Sequence, residues 1–180
     1  VLTPEPGREA VVRVHRTNVA QRLYRITGKG IYGDSLRLGK PVPLRHPRGT
    51  GQVAGQDSAM AVAYRDRIYW FWGDTSRLRY PLGHFWMAGA TSDLPGPTLD
   101  PDRAVDLEYF VGADGFSRPM ARLGVESGPI WIDAVCVLPD EQGCERLVCH
   151  YAHMKDLGTM LDHGLAVFDD QTQQFDTPTQ

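Results

Sequence analysis

The sequence predicts an all-β protein, and three observations support that prediction. Glycine and proline, 19 and 13 of the 180 residues, are spread along the whole chain and divide it into short segments. Short runs of β-branched and aromatic residues recur between these breaks. Apolar residues spaced as on one face of a helix are hard to find. Strands joined by turns are therefore expected almost throughout.

Nine apolar runs are predicted to be strands. The sequences between them, such as YRDR, DLPGP, GADG and PDEQG, are rich in residues that favour turns. The only stretch with a weak helical pattern is 154–161, and Gly158 within it counts against a helix. The predicted strands are 10–15, 22–27, 58–63, 67–73, 84–90, 105–110, 130–137, 146–152 and 164–168.

The composition argues against two classes of partner. The chain has 19 Lys and Arg against 22 Asp and Glu, a net charge of −3, which argues against nucleic-acid binding through overall charge. No window approaches the roughly 18 continuous apolar residues of a membrane-spanning helix. The cysteines Cys136, Cys144 and Cys149 lack the spacing of a metal site and are expected to be free, buried thiols. We therefore expect neither nucleic acid nor a membrane as a partner.

One supersecondary unit occurs twice in the chain. Asp57 precedes a strand–turn–strand stretch that ends in WFWGDT, and Asp133 precedes a second such stretch that ends in CHYAHM. The two aspartates are 76 residues apart, and Ile68 and Leu147 are 79 residues apart because the second turn is longer. A repeated unit of antiparallel strands that cannot bury its own faces is typical of a β-propeller blade.

This repeat predicts the domain organisation and the place of the acids. Residues 49–180 are predicted to form about two to three propeller blades, and residues 1–48 to form N-terminal strands that contribute to a closing blade. In a blade the innermost strand lines the central channel, and the next strands lie between neighbouring blades. An apolar run such as IYWFW is then blade packing, and an acid beside an inner strand points into the channel.

The motifs RIYWFWGDT, AGATSDLPGP and GPIWIDAVCVL resemble the blades of five-bladed propeller glycoside hydrolases of the arabinanase, xylosidase and invertase types. The resemblance covers about residues 50–175 and is carried by layout and short motifs. It implies that Asp57 is the general base or nucleophile and that Asp133 tunes a pKa and orients the reacting groups. It also implies a glutamic general acid on a blade beyond residue 180. The text QDS around Asp57 departs from the Asp-Pro that is more usual in this family.

The chemistry of glycoside hydrolysis independently favours paired acids. It needs two carboxyl groups on opposite sides of the scissile bond, one of them protonated. Equivalent strands of successive blades would bring Asp57 and Asp133 into one channel, so both are catalytic candidates. The alternative for Asp57 is a turn cap. The candidates for substrate binding are Glu126, Asp74, Trp72 and Trp131, and core packing or turn formation is the alternative for each.

Two functions remain open from the sequence. The first is a glycoside hydrolase-like protein that acts on or binds a glycan in the propeller channel. The second is a non-catalytic propeller fragment that binds a glycan or a protein partner. No cofactor is expected, and the one metal alternative is a structural calcium ion on the propeller axis. Because a blade with two apolar faces needs a neighbour on each, self-association through exposed blade faces is expected.

Overall fold

The computed structural model describes residues 3, 6–9, 11–17, 32–47, 49–96, 105–125 and 127–178. Of these residues, 42% lie in strands and 3% in helix, which confirms an all-β chain. The one helix among them is α1, Gly33–Arg37. Within the described ranges, no helix is long and apolar enough to cross a membrane.

The strands form two four-stranded sheets and one small sheet, all antiparallel. The first sheet has the strand order β2-β3-β6-β7, the second β8-β9-β10-β11 and the small one β1-β4-β5. In chain order the strands are β1 (Gly55–Gln56), β2 (Met60–Tyr64), β3 (Arg67–Trp72), β4 (Thr75–Ser76), β5 (Gly83–His84), β6 (Ala88–Asp93), β7 (Glu108–Tyr109), β8 (Ile130–Pro139), β9 (Glu145–Asp156), β10 (Thr159–Asp169) and β11 (Gln174–Asp176).

The weak helix candidate at 154–161 is a β-hairpin. These residues form the end of β9, a two-residue turn and the start of β10. The carboxylate Oδ1 of Asp156 accepts the backbone N–H of Gly158 at 2.9 Å and closes the turn. An aspartate and a glycine two residues apart are turn chemistry, and this local bond outweighs the helical spacing of the neighbouring apolar residues.

Other predicted strands are shortened where the chain turns or lacks a partner. The predicted strand 84–90 is divided between the end of β5 and the start of β6, and 105–110 keeps only β7. Residues 11–17 are not in a strand, and Val14 is 89% exposed. A high β propensity does not stabilise a strand that has no neighbouring strand to pair with. The predicted strand 22–27 lies outside the described residues.

The two large sheets pack face to face around one core. Tyr64 and Phe71 of the first sheet are 1% and 0% exposed, and they belong to the same buried cluster as Ile130, Leu147 and Phe168 of the second. The edge strands β2 and β8 of the two sheets are direct neighbours across this interface. Burial of large apolar side chains from both sheets is the main force that holds them together.

The pairing registers show that the two sheets are equivalent. Trp70 pairs with Ala90 in the first sheet as Cys149 pairs with Ala166 in the second, and both alanines are fully buried. Ile68 and Leu147 are equivalent in the same way, since they pair with Ala63 and Val137. The repeat seen in the sequence therefore corresponds to a repeated pattern of strand pairing.

One face of the second sheet is apolar and uncovered within the described residues, and we call it the open face. Leu138 and Leu165 on it are 51% and 59% exposed, and Cys136 is exposed as well. The expectation of three buried thiols holds only for Cys149, because strand alternation turns Cys136 outward and Cys144 lies in an exposed turn. The open face consists of Ala134, Cys136, Leu138, Val148, His150 and Leu165.

Candidate functional site

A cavity of about 550 Å³ lies where the edge strands β2 and β8 of the two large sheets meet, and we call it the first cavity. It is lined by three aspartates, Asp57, Asp74 and Asp133, and by Trp131. The buried Met87 and the exposed Leu157 also contribute to its lining. Four of the six residues that the sequence proposed as a site therefore surround one space.

Asp57 and Asp74 face each other across the open end of the β2–β3 hairpin. The N–H of Asp74 donates to Oδ1 of Asp57 at 3.1 Å, and the N–H of Gly73 donates to the carbonyl oxygen of Asp57 at 3.0 Å. The Asp57 side chain thus bonds the backbone of a residue 17 positions away across the hairpin, which differs from a local turn cap, and Asp57 lines the cavity as well. Burial, and next the charge of Asp57, raise the pKa of Asp74 above its ordinary value.

The Gly73 position leaves room for the Asp57 carboxylate. A Cβ atom at this buried position would lie 2.7 Å from Oδ1 of Asp57, which is closer than real contacts allow. The glycine that precedes Asp74 in the GDT motif is therefore required by the geometry of the acid pair.

We expect Gly73→Ala to displace the Asp57 carboxylate and break its bond to the N–H of Asp74. The predicted cost is about 1 kcal/mol of unfolding free energy, the net value of one hydrogen bond. Urea denaturation followed by tryptophan fluorescence measures this change. Gly96→Ala is the matched control, because a Cβ there meets nothing within 4 Å. Equal stability of the two variants would contradict the tight contact.

Asp133 reaches the first cavity by a different route from Asp57. The register of β8 on β9 shifts between Ile132 and Ala134, so Asp133 is the extra residue of a β-bulge within β8. Ala134 and Met60 hold equivalent positions in the two sheets, because Ala134 pairs with His150 and Met60 pairs with Phe71, the equivalent residue of the first sheet. The prediction that Asp133 heads its strand in the same position as Asp57 is therefore wrong, because β8 begins earlier than β2.

Asp133 has a histidine partner on the neighbouring strand. Nδ1 of His150 donates to Oδ1 of Asp133 at 2.8 Å, and the two side chains are 37% and 63% exposed. The His150 ring also lies 5.6 Å from the ring of His163. Solvent reaches this pair, so its electrostatic contribution to stability is small, but the contact fixes the direction of the Asp133 carboxylate.

The two proposed tryptophans have different environments. Trp131 is half-buried and lines the first cavity. Trp72 is 2% exposed and packs between Trp70 and Tyr109, with ring centroids 6.2 and 5.5 Å away. The expectation that Trp72 contacts a substrate is thus not met, because strand alternation turns it to the face opposite Phe71. Glu126, the remaining candidate, lies outside the described residues.

A second cavity of about 550 Å³ was not predicted from the sequence. It shares Asp57 and Asp74 with the first cavity, and the rest of its lining is different. Its other walls include Gln56, His84 and Phe85. His84 and Phe85 belong to the predicted strand 84–90, so the sequence pattern did not indicate the loop at Phe85 that forms part of this wall.

His84 is held as a neutral ring beside the second cavity. Its Nε2–H donates to the carbonyl oxygen of Ser117 at 3.0 Å, and its Nδ1 accepts the N–H of Trp86 at 3.2 Å. Burial lowers the pKa of His84, in agreement with this tautomer. Both ring nitrogens are occupied, so His84 is a structural wall and offers no free polar atom to a ligand.

The raised pKa of Asp74 predicts a specific dependence of stability on pH. The folded chain holds the Asp74 proton more tightly than the unfolded chain, so stability falls as pH rises from the ordinary value of 3.8 through the raised pKa. We expect Asp74→Asn to gain stability relative to the wild type between about pH 4 and pH 7. Thermal melts across this range measure the difference.

Asp114→Asn is the matched control for this titration. The side-chain hydrogen bond from Arg77 lowers the pKa of Asp114, so that group stabilises the fold above its unfolded pKa and loses its effect as pH falls. This variant should therefore lose stability at pH 7. A stability difference of the same sign in both variants would contradict the assignment for Asp74.

No metal centre is evident in the part of the chain that the structure describes, where no group of three or more His, Cys, Asp or Glu could hold an ion.

Comparisons with protein-family models, with curated proteins and with solved structures find no match to this chain. The chemistry of the first cavity is therefore argued from its own residues.

Proposed function

We propose that the protein is a carbohydrate-active protein that binds a neutral glycan in the first cavity. The observation that carries this proposal is the presence of Asp57, Asp74, Asp133 and Trp131 around one space of about 550 Å³. Carboxylates accept hydrogen bonds from sugar hydroxyls, and an indole ring packs against the apolar face of a sugar ring. A cavity of this volume falls within the usual range of about 300–1,000 Å³ for small-molecule sites.

The acid pair suits glycoside hydrolysis, which is the catalytic form of this proposal. Burial and the charge of Asp57 raise the pKa of Asp74 above that of an ordinary aspartic acid, and the backbone N–H of Asp74 donates to the Asp57 carboxylate. In this mechanism Asp74 donates a proton to the glycosidic oxygen, while Asp57 acts as base towards water or as nucleophile. Asp133, directed by His150, orients the sugar. The resemblance to propeller glycosidases implies the same role for Asp57, whereas the assignment of the acid to Asp74 departs from the glutamic acid that the resemblance implies.

Glycan binding without cleavage is the second candidate function. It is favoured by the bonds that Asp57 and Asp133 already make, the first to the N–H of Asp74 and the second to His150. These bonds give both carboxylates a structural role that needs no reaction. The two candidates make the same prediction for binding and opposite predictions for product formation.

The test uses arabino-, xylo- and fructo-oligosaccharides with the 180-residue chain. Calorimetry measures binding, and release of reducing ends measures hydrolysis. Trp131→Ala should weaken binding about 3–10-fold, the value of one aromatic contact, and Trp131→Phe should restore most of it. Binding without product supports the second candidate. If none of the three sugars binds, the carbohydrate proposal is wrong.

We also propose that the two large sheets are blades of a β-propeller. When the two sheets are aligned by their strand pairing, the face of the first sheet that packs on the second corresponds to the open face of the second. The sheets therefore stack in the same sense, front of one against back of the next, as propeller blades do. The covered residues equivalent to the open face are Met60, Val62, Tyr64, Tyr69, Phe71 and Gly89.

In a propeller the open face would be covered by the back of a further blade. We propose that a second copy of the chain takes that place in solution. Since the other face of the second sheet is already packed, the two copies would meet open face to open face in a twofold dimer. Light scattering should then give twice the 20.1 kDa of one chain.

Leu165→Asp should convert this dimer to a monomer, because it places a charge at the centre of the apolar contact. Leu78→Asp is the matched control, since Leu78 is 81% exposed and lies away from the open face. A wild-type chain that remains monomeric at high concentration would contradict the proposed dimer.

A further inference from the structure

The second cavity differs from the first in the polar groups that it offers. Its side-chain amide and hydroxyls are already bonded within the protein. Gln56 Nε2 donates to Oγ1 of Thr75 at 3.0 Å, and Gln56 Oε1 accepts the hydroxyl of Tyr109 at 2.7 Å. The hydroxyl of Ser76 donates to the carbonyl oxygen of Gly55 at 3.2 Å. With His84 also occupied, the side-chain hydrogen-bonding groups left to a ligand are the carboxylates of Asp57 and Asp74, which the second cavity shares with the first.

The unoccupied walls of the second cavity are apolar. Phe85 is 59% exposed and Leu82 is 65% exposed, and both line the space. Large apolar side chains held at this exposure around a concave surface gain free energy when a ligand covers them. A polyol would find few partners there, whereas an aromatic or alkyl group would lose only contact with water.

The two cavities share two residues in their walls. Asp57 and Asp74 line both, so the two spaces adjoin at this acid pair. Among the described residues, no side chain is bonded to the Asp74 carboxylate, which leaves it available to a ligand at this junction. One ligand can therefore place a polar part on one side and an apolar part on the other.

We infer that the ligand is a glycoside with an apolar aglycone, an aryl or alkyl group that occupies the second cavity against Phe85 and Leu82. The sugar lies in the first cavity, and the bond between sugar and aglycone passes Asp57 and Asp74. This inference rests on the proposed function for the identity of the sugar part. It goes further by predicting that such a glycoside binds more tightly than a simple homo-oligosaccharide, because a second sugar ring would place its hydroxyls against apolar walls.

The test compares p-nitrophenyl glycosides with methyl glycosides of the same sugars, namely arabinose, xylose and fructose, by calorimetry. We expect the aryl glycoside of the preferred sugar to bind about tenfold more tightly than the methyl glycoside, because its ring covers Phe85. In Phe85→Ala the ratio of the two dissociation constants should fall towards one. Leu78→Ala, a change of an exposed apolar residue outside both cavities, should keep the ratio of the wild type.

The outcomes separate the inference from the proposed function. If methyl glycosides bind and depend on Trp131 but the aryl group adds nothing, the proposed function stands and the apolar aglycone is wrong. If free p-nitrophenol binds as tightly as its glycosides, the sugar contributes nothing and both proposals fall. If aryl and methyl glycosides bind equally in the wild type and in Phe85→Ala, the second cavity is not a ligand site.

Discussion

Replacement of Phe71 by alanine is expected to lower the free energy of unfolding by about 3–5 kcal/mol, the range for a buried phenylalanine. Phe71 lies on β3, is fully buried and packs its ring 5.1 Å from that of Phe175 in the second sheet. The cavity left by the change would open between the two sheets. Their packing against each other depends on this layer, so the loss should weaken both sheets together.

Urea denaturation monitored by circular dichroism and tryptophan fluorescence measures this effect. The two signals should change in one transition, because the tryptophans lie in both sheets. Phe85→Ala is the matched control, since the same side chain is 59% exposed there and should cost little stability. A loss below about 1 kcal/mol for Phe71→Ala would show that the sheets do not share this core.

Asp57→Asn is expected to weaken glycan binding about 10–100-fold, the value of hydrogen bonds to a charged acceptor. If the protein hydrolyses its ligand, the rate should fall about 10²–10⁴-fold as well, because an amide cannot act as base or nucleophile. The side-chain oxygen of asparagine can still accept the N–H of Asp74, so the melting temperature should remain close to that of the wild type. The pKa of Asp74 should fall, since the charge of Asp57 helps to raise it.

Two further variants are needed to interpret the effect of Asp57→Asn. Asp133→Asn should have a smaller effect than Asp57→Asn, because Asp133 is inferred to orient the sugar through its contact with His150. Asp66→Asn is the control, since Asp66 lies in the turn at the other end of the same hairpin. An equal loss of binding in Asp57→Asn and Asp66→Asn would mean that overall charge, and not the cavity, attracts the ligand.

Local sequence patterns were sufficient to predict the strands that pair with near neighbours. The runs around 58–63, 67–73, 130–137 and 146–152 all lie in or next to β2, β3, β8 and β9, because each alternates or fills a buried ladder and is bounded by a turn. The valines near 12 have the same local character but form no strand. Their fate depends on whether a partner strand is present, and a local pattern does not contain that information.

The candidate site was predictable where chain position alone decides it. Asp57 and Asp74 flank a hairpin, so their proximity follows from the repeat. The place of Asp133 near them follows from its position on β8, which neighbours β2. The bulge at Asp133 is not visible in the sequence, because it depends on how β9 pairs. Trp72 was wrongly predicted to contact a substrate, because the run IYWFW does not indicate which face of the sheet borders the cavity. The second cavity depends on the loop through Phe85, whose contacts are long-range.

The most direct test of the central claim is a titration of the ¹⁵N-labelled chain with arabino-, xylo- and fructo-tetrasaccharides, followed by amide chemical shifts. A ligand in the first cavity should shift the amides of Gly73, Asp74 and Asp133 and the indole N–H of Trp131, all of which lie in its wall. The amides of the open face, such as Val148 and Leu165, should keep their positions. No shift with any of the three sugars, or shifts confined to the open face, would contradict the claim that this cavity binds carbohydrate.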